Sequence, residues 1–142
     1  MSTDEWKRFV LEGTRTAKLA TVARDGSARV VPVWFVLDGD AFVITTGSES
    51  AKGKAMRRDP RVALLVDDER PPFSFVSVRG RVTLSEDPDA LLVWGTRIGG
   101  RYMGADRAEE YGRKNGVPGE LLVRVRPTKV VGYVEMAGPA AS

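Results

Sequence analysis

The sequence predicts a mostly β domain, an antiparallel barrel of six or seven strands with short α-helices inserted between them. Short apolar runs rich in Val, Ile and aromatic residues recur along the chain with the two-residue alternation of half-buried strands. Tight-turn signals, Asp25-Gly26 and Asp38-Gly39-Asp40, separate the first of these runs. A closed barrel suits such an inventory because closure removes the exposed sheet edges.

Six or seven strands are expected, and the first three are joined by tight turns, so they are predicted to form an antiparallel meander. Pro32 lies inside the second strand and Pro127 ends the sixth. Since proline cannot donate to a strand ladder, Pro32 predicts an edge strand or a bulge, where backbone groups open towards a ligand. The predicted strands are 17–24, 27–37, 41–46, 62–66, 73–84, 121–126 and 129–134.

Helices are expected at four places between these strands. Ser2 or Thr3 caps a first helix that continues to Glu12, a short basic helix follows Gly47, and Asp87-Pro88 opens a longer helical region. That region carries four glycines, each costing about 1 kcal/mol relative to alanine, so they indicate close packing against another backbone or a ligand. The glycines are Gly95, Gly99, Gly100 and Gly104, and a charged helix is expected over 106–114.

The composition restricts the chemistry. The chain has 142 residues, which predicts a single domain over 1–142, and it contains neither Cys nor His. Thiol nucleophiles, His-dependent triads and His or Cys metal sites are therefore excluded, and no metal site is expected. An enzyme built from this chain would rely on a bound organic cofactor.

Charge and hydropathy indicate where the protein works. No signal peptide and no apolar run of about 18 residues occur, so a cytoplasmic protein without a membrane partner is expected. The net charge of +3 implies a mild attraction to anions, without the one-sided basicity of a dedicated nucleic-acid binder. Dinucleotide-binding and phosphate-loop glycine motifs are also absent.

The basic segment 48–61 is the strongest candidate for an anion site. It begins a helix directly after a strand, and Lys52 and Lys54 lie where a helix N-terminus normally attracts acidic residues. A phosphate between them would explain this placement, and a solvated basic helix explains it equally well. Lys52 is the best candidate because it is nearest the turn. On a helix, Lys54, Arg57, Arg58 and Arg61 would fall on neighbouring faces.

Two strand segments are candidates for a flat heteroaromatic ligand. Residues 31–34 and 45–47 are predicted to lie on strands paired through the turn at Asp38–Asp40. A ladder interrupted at Pro32 would present backbone groups to the edge of a ring. The alternative is ordinary β structure with Trp34 in the core.

Together these segments resemble the split-barrel flavin and deazaflavin oxidoreductases related to pyridoxamine 5′-phosphate oxidase, in particular the branch that uses coenzyme F420. The resemblance covers nearly the whole chain. It rests on Leu19-Ala20-Thr21-Val22 with Asp25-Gly26, Val31-Pro32-Val33-Trp34-Phe35, Ala51-Lys52-Gly53-Lys54, Arg57-Arg58-Asp59-Pro60-Arg61, Val66 to Pro72, and Thr96 to Gly104.

The resemblance implies a split β-barrel homodimer with the cofactor in a groove at the subunit interface. The tricyclic ring would rest against residues 31–34 and Thr45-Thr46, and the phosphate would lie near Lys52. Helix residues 94–102 would cap the partner's groove. The expected cofactor-binding residues are Val31, Pro32, Val33, Trp34, Thr45, Thr46, Gly47, Ser50, Lys52, Lys54, Arg57, Arg97 and Tyr102.

The function implied by the resemblance is hydride transfer between F420 and an unsaturated small molecule. The alternatives are an FMN-dependent oxidase or reductase on the same fold and a non-catalytic F420- or flavin-binding protein. A small nucleic-acid-binding barrel is a further class, which strong salt-dependent binding to single-stranded DNA would reveal. No catalytic residue or proton donor is assigned.

Overall fold

Within residues 1–136, seven strands form one antiparallel sheet, and four α-helices accompany it. The computed structural model describes residues 1–136. Along the sheet the strands follow the order β2-β1-β5-β6-β7-β4-β3. The elements are α1 (Thr3–Leu11), β1 (Ala17–Val22), β2 (Ala28–Val33), β3 (Val36–Asp38), β4 (Ala41–Gly47), α2 (Ala51–Arg58), β5 (Arg61–Asp67), β6 (Phe75–Ser85), α3 (Pro88–Met103), a 3₁₀ turn (Ala105–Arg107), α4 (Ala108–Asn115) and β7 (Glu120–Tyr133).

The strand order requires the sheet to roll up. Strands β2 and β3 lie at its two opposite edges, yet β2 ends at Val33 and β3 begins at Val36. Three Cα-to-Cα steps span at most about 11 Å, so the two edges must approach each other. The sheet is therefore a barrel that is split between β2 and β3. The predicted mostly β class and split-barrel architecture are confirmed.

The predicted meander was wrong at its middle strand. The hairpins β1–β2 and β3–β4 form as expected, but the predicted strand 27–37 is two strands with different partners. In β2, Val33 lies opposite Ala17 of β1, whereas in β3 Val36 lies opposite Val43 of β4. Residues 31–34 and 45–47 are therefore not on paired strands. Pro32 does lie on an edge strand, as its missing N–H predicts.

The predicted break at Pro127 was also wrong. Strand β7 runs without interruption over 14 residues, and the ladder with β6 shifts register between Arg79 and Gly80, opposite Pro127. A bulge in a ladder accommodates a residue that has no N–H to donate. The two short strands expected at the C-terminal end are one long strand.

The core fills the barrel and continues beneath α3. Trp6 and Val10 of α1 are buried in the main core cluster, and the Trp6 ring stacks on Phe42 with centroids 5.9 Å apart. Strand β4 is buried on both faces, because Val43 packs with Leu91 of α3 on the outer side. The sheet edge formed by β3 and β4 is thus covered, while every residue of β2 before Val33 is exposed.

The glycines of α3 pack against α4, which confirms close backbone packing for this region. Helix α3 is unbroken, and a Cβ added at Gly99 would overlap the Tyr111 side chain. A Cβ at Gly112 would overlap Thr96 in the same way. Any larger side chain at these positions would push the two helices apart. The Asp87 side chain accepts a hydrogen bond at the N-terminus of α3.

Arg101 near the end of α3 joins three segments of backbone. Its Nη1 donates to the Phe35 carbonyl at 2.6 Å, its Nε to Gly13 at 3.1 Å and its Nη2 to Val10 at 2.9 Å. The guanidinium also lies over the Phe35 ring, 4.6 Å from its centroid. Burial lowers the pKa of Arg101 from its ordinary value, because partial desolvation disfavours the charged form. Within residues 1–136 no helix is long and apolar enough to cross a membrane.

Arg101→Lys should destabilise the fold by about 1.5–3 kcal/mol. A lysine keeps the charge but cannot bond three carbonyls at once with a planar fork. Urea unfolding measures the loss, and Arg97→Lys is the matched control. Arg97 is exposed one turn earlier on α3 and contacts the Trp94 ring, so its replacement should change stability by less than about 0.5 kcal/mol. Equal losses for the two variants would contradict the assignment.

Candidate functional site

A cavity of about 350 Å³ lies where the end of β2, the middle of β4 and the first turn of α2 meet the α3–α4 pair. Such a volume is at the lower end of the range for small-molecule sites, about 300–1,000 Å³. The lining residues are Pro32, Val33, Trp34, Thr45, Lys52, Gly95, Ile98, Gly99, Tyr111 and Asn115.

Trp34 supplies the aromatic wall of this cavity. It lies in the two-residue link between β2 and β3 and is 38% exposed, so it is not the core residue that ordinary β structure would require. Its ring stacks on Tyr102 with centroids 4.9 Å apart and planes within 6°. Tyr111 lies on it at 5.9 Å in a tilted arrangement. The indole is therefore held in place by two aromatic side chains.

Tyr102 supports Trp34 from behind and does not line the cavity. Its hydroxyl donates to the Arg15 carbonyl at 2.8 Å and accepts from the Phe35 N–H at 3.2 Å. Burial raises the pKa of the Tyr102 phenol above its ordinary value, although the Phe35 bond and Arg101 oppose the rise. The phenol consequently stays neutral at physiological pH.

The turn from β4 into α2 is fixed by the Ser50 hydroxyl. This oxygen donates to the Gly47 carbonyl at 2.7 Å and accepts from the Gly53 N–H at 3.0 Å, as a helix N-cap does. Thr46 Oγ1 lies 3.0 Å from it as a further partner. A Cβ at Gly53 would come within 2.5 Å of the Gly47 carbonyl oxygen, so only glycine fits this approach. Together these contacts set the position of Lys52.

Among the described residues that line the cavity, Lys52 is the only charged one. Its ammonium makes no ion pair within 4 Å in the described part of the chain, whereas its neighbours do. Lys54 pairs with Glu49 at 3.4 Å, and Arg57 pairs with Glu86 at 2.9 Å. Of the four cations of α2, only Lys52 lines the cavity, so it is the one available to a ligand there.

Glu120 is an acidic residue whose carboxyl interacts electrostatically with Lys52. Burial raises the pKa of the Glu120 carboxyl above its ordinary value, and the positive charge of Lys52 opposes that rise. Glu120 begins β7 directly opposite Gly47 of β4. The Ser48 N–H donates to the preceding carbonyl, that of Gly119, at 2.8 Å. The carboxylate therefore belongs to the same corner of the fold as the turn that carries Lys52.

The structure divides the thirteen residues expected at a cofactor site into three groups. Five line the cavity, four hold its walls from behind, and four lie elsewhere. The lining group is Pro32, Val33, Trp34, Thr45 and Lys52; the supporting group is Thr46, Gly47, Ser50 and Tyr102; the remaining group is Val31, Lys54, Arg57 and Arg97.

Two details of the basic segment differ from the sequence prediction. Helix α2 ends at Arg58, so Arg61 does not share a helical face with Lys54 and Arg57. Arg61 begins β5, and its guanidinium pairs with Asp59 at 2.7 Å. That bond holds the pKa of the Asp59 carboxyl at about 2. The segment is therefore a helix followed by a strand, with Asp59 at the corner.

The resemblance implied that helix residues 94–102 cap the partner's groove, whereas Gly95, Ile98 and Gly99 of α3 line a cavity of their own chain. The wall contributed by α4 was not predicted. Tyr111 and Asn115 of α4 line the cavity opposite the β2 end, and Asn115 Nδ2 donates to the Tyr111 carbonyl at 2.8 Å. The α3 glycines gave the only signal, because close packing was expected there without a partner being identified. The charged residues of 106–114 indicate an exposed helix, so the sequence pattern does not show that one face of this helix lines the cavity.

Comparison with known sequences assigns the chain to a family. The sequence profile of pyridoxamine 5′-phosphate oxidase matches residues 2–133. The chain belongs to the pyridoxamine 5′-phosphate oxidase family. A comparison with functionally curated proteins found no match.

Solved structures of this fold cover nearly all of the chain. A conserved hypothetical protein of Mycobacterium tuberculosis, Rv2991, is 27% identical over 100% of this chain and 91% of its own, with a TM-score of 0.83. An F420 reductase is 28% identical over 87% of this chain and 94% of its own, with a TM-score of 0.69. A pyridoxamine 5′-phosphate oxidase-like protein of Listeria innocua, at 21% identity and a TM-score of 0.67 over 87% and 91%, shows the fold alone.

The residues that line the cavity match the kind of ligand that this fold binds. This fold binds flavins or F420, and both ligands combine a flat tricyclic ring with a phosphate. The cavity offers an ordered indole face at Trp34 and one available ammonium at Lys52. The residues present therefore fit a phosphate-bearing heteroaromatic cofactor.

Gly53→Ala should destabilise the protein by about 1–3 kcal/mol, because the new methyl group must displace the Gly47 carbonyl. Gly47→Ala is the matched control in the same turn. A Cβ at Gly47 meets nothing within 4 Å and its backbone is not left-handed, so no loss is expected. Thermal unfolding followed by circular dichroism measures both. An unchanged melting temperature for Gly53→Ala would contradict the described turn.

Proposed function

We propose that this protein is an F420-dependent oxidoreductase that transfers a hydride between the deazaflavin and an unsaturated small molecule. One observation carries the proposal: a single cavity joins a rigidly stacked indole, Trp34, to an unpaired ammonium, Lys52. The F420 reductase of the same fold, similar along 87% of this chain, supports the choice of cofactor. An FMN-dependent enzyme on this fold is the alternative.

The lining residues would hold a tricyclic ring and its phosphate in different ways. Trp34 offers an apolar face, while the exposed edge of β2 at Pro32 and Val33 offers backbone groups that no strand partner covers. The Thr45 hydroxyl can bond a ring substituent. Lys52 would contact the phosphate at the first turn of α2, where the helix dipole also favours an anion.

A second concavity favours F420 over FMN as the cofactor. It has a volume of about 350 Å³ and lies against the outer side of α2. Among its described lining residues, only Glu49 is acidic. Its basic members are Arg24, Arg29, Lys54 and Arg58. An acidic polyglutamate tail, which F420 carries and FMN lacks, would be attracted here. Affinity that rises with tail length and falls with added salt tests this point.

Binding and orientation are the tasks left to the protein, since the cofactor when bound supplies the hydride chemistry. The stacked Trp34 and the α3–α4 wall would fix the ring and exclude water from one side. The Tyr102 hydroxyl is engaged with the backbone of Arg15 and Phe35. Tyr111 is the phenol that lines the cavity itself.

We also propose that the protein is a homodimer, with a second copy covering the outer face of β1, β2 and β5. Val30 on this face is 63% exposed and Leu65 is 37% exposed. Val30 lies opposite Ala20, which lies opposite Ala63, so small and apolar residues form a continuous row. An apolar sheet face of this kind is typical of a protein–protein contact.

Val30→Glu should convert the dimer to a monomer, because it places a charge at the exposed end of that row on the edge strand β2. Sedimentation velocity measures the mass of the variant and of the wild type. Val117→Glu is the control, since Val117 is an exposed apolar residue after α4 and away from this face. A monomeric wild-type protein would refute the proposed dimer.

Fluorescence titrations of the purified protein with F420 and FMN test the proposed cofactor. Micromolar binding of F420 with much weaker binding of FMN is the expected result. The opposite order would transfer the protein to the FMN-dependent alternative. Turnover is then measured with reduced F420 and quinones, enones or tetrapyrroles as acceptors, and tight binding without turnover of any acceptor would indicate a carrier protein.

Lys52→Ala should weaken F420 binding by at least about 1 kcal/mol, or roughly fivefold, because a charge-assisted hydrogen bond to phosphate is lost. Lys54→Ala is the control of equal charge. Lys54 is exposed and paired with Glu49, so its loss should have a smaller effect on a short-tailed F420. If Lys52→Ala binds F420 as well as the wild type does, Lys52 does not contact the phosphate.

A further inference from the structure

The phosphate corner of the cavity has an unusual balance of charge. Among the described residues, Lys52 is the one cation that lines the cavity, and the neighbouring cations Lys54 and Arg57 each form an ion pair with an acidic residue outside it. Glu120 lies opposite Gly47, at the end of the strand that leads into the Lys52 turn, and adds a negative charge there. The corner therefore holds about one positive and one negative charge, and it is not strongly basic.

The position of Glu120 is fixed by the sheet. Its backbone pairs with Gly47 at the end of the β4–β7 ladder, one residue before the turn that leads into α2. The hydrogen bond from the Ser48 N–H to the Gly119 carbonyl ties the same two segments together. The Glu120 residue is half-buried, and this partial burial raises the pKa of its carboxyl. Its charge is consequently less screened than that of an exposed acid.

A corner with one positive and one negative charge discriminates between phosphate groups that carry different charges. A phosphomonoester such as that of FMN carries about −1.5 to −2 at pH 7, whereas a phosphodiester such as that of F420 carries a single negative charge. One ammonium neutralises the diester. A monoester would keep about one unpaired negative charge facing Glu120.

We propose that Glu120 is a specificity residue that makes the Lys52 corner select a phosphodiester and disfavour a phosphomonoester. The inference rests on the proposed function, because it assumes that the cavity holds a flavin or deazaflavin with its phosphate at Lys52. Glu120 acts by repulsion, which is how specific sites commonly reject a close competitor. The residue would not contact the ring or take part in hydride transfer.

Glu120→Gln tests this directly, since it keeps the shape of the side chain and removes its charge. Coulomb energy is proportional to the charge of the ligand, so a roughly threefold gain for a monoanion corresponds to a roughly ninefold gain for a dianion. We therefore expect FMN binding to tighten about fivefold to tenfold and binding of F420 with a short tail to tighten about threefold. Riboflavin, which lacks the phosphate, should bind equally to both proteins.

The control variant is Glu69→Gln, which removes one negative charge from an exposed loop between β5 and β6. It should change the affinity for FMN by less than about twofold. Riboflavin serves as the internal control for folding, because unchanged riboflavin binding shows that the cavity of the Glu120 variant is intact.

The outcomes separate this inference from the proposed function. If the ratio of FMN to riboflavin affinity is the same in Glu120→Gln and the wild type, the role of Glu120 is refuted even when F420 is the preferred cofactor. If F420 does not bind but the FMN-to-riboflavin ratio rises as expected, the choice of cofactor is refuted and the role of Glu120 stands. Failure of all three ligands to bind refutes both.

Discussion

The backbone of Phe35 is the point on which the structure depends. It lies in the two-residue link that crosses from one edge of the split barrel to the other, where no strand partner can bond its N–H and carbonyl. Tyr102 accepts from the N–H and Arg101 donates to the carbonyl, at 3.2 and 2.6 Å. A polar backbone group left unbonded here would cost about 1–3 kcal/mol. Consecutive residues of α3 thus allow the barrel to open at this position.

The same link builds the cavity. Because the chain changes edges at residues 34 and 35, Phe35 enters the core while Trp34 turns outwards and stacks on Tyr102. Glycines in α3 then admit α4, which brings Tyr111 into a tilted contact with the indole. The aromatic wall is therefore a consequence of the barrel's split and of helix packing together. Phe35, whose backbone crosses between the two edges of the barrel, therefore directly follows Trp34, which would face the ligand.

At the Lys52 end of the cavity, the local charge depends on which charged residues are paired with one another, and not on how many of them the chain contains. The chain carries 22 basic and 19 acidic residues, yet the lining of the cavity contains one ammonium. Ion pairs engage Lys54 and Arg57 of α2, Arg58 lies outside this cavity, and the Ser50 cap orients the first turn so that Lys52 faces inwards. The placement of Glu120 beside this turn gives the corner its balance, and it arises from the β4–β7 register.

The sequence by itself determined the mostly β class, the edge position of Pro32, the capped helix after Gly47 and the candidacy of Lys52, because these depend on local periodicity, backbone donors and helix-end chemistry. Pairing across the chain was decided only by tertiary structure. Residues 27–37 read as one strand, since nothing local marks which edge each half joins, and Pro127 is accommodated by a bulge opposite Gly80 that only the partner strand supplies. The α4 wall and Glu120 escaped prediction for the same physical reason: their roles come from contacts between segments far apart in sequence, which periodicity does not record.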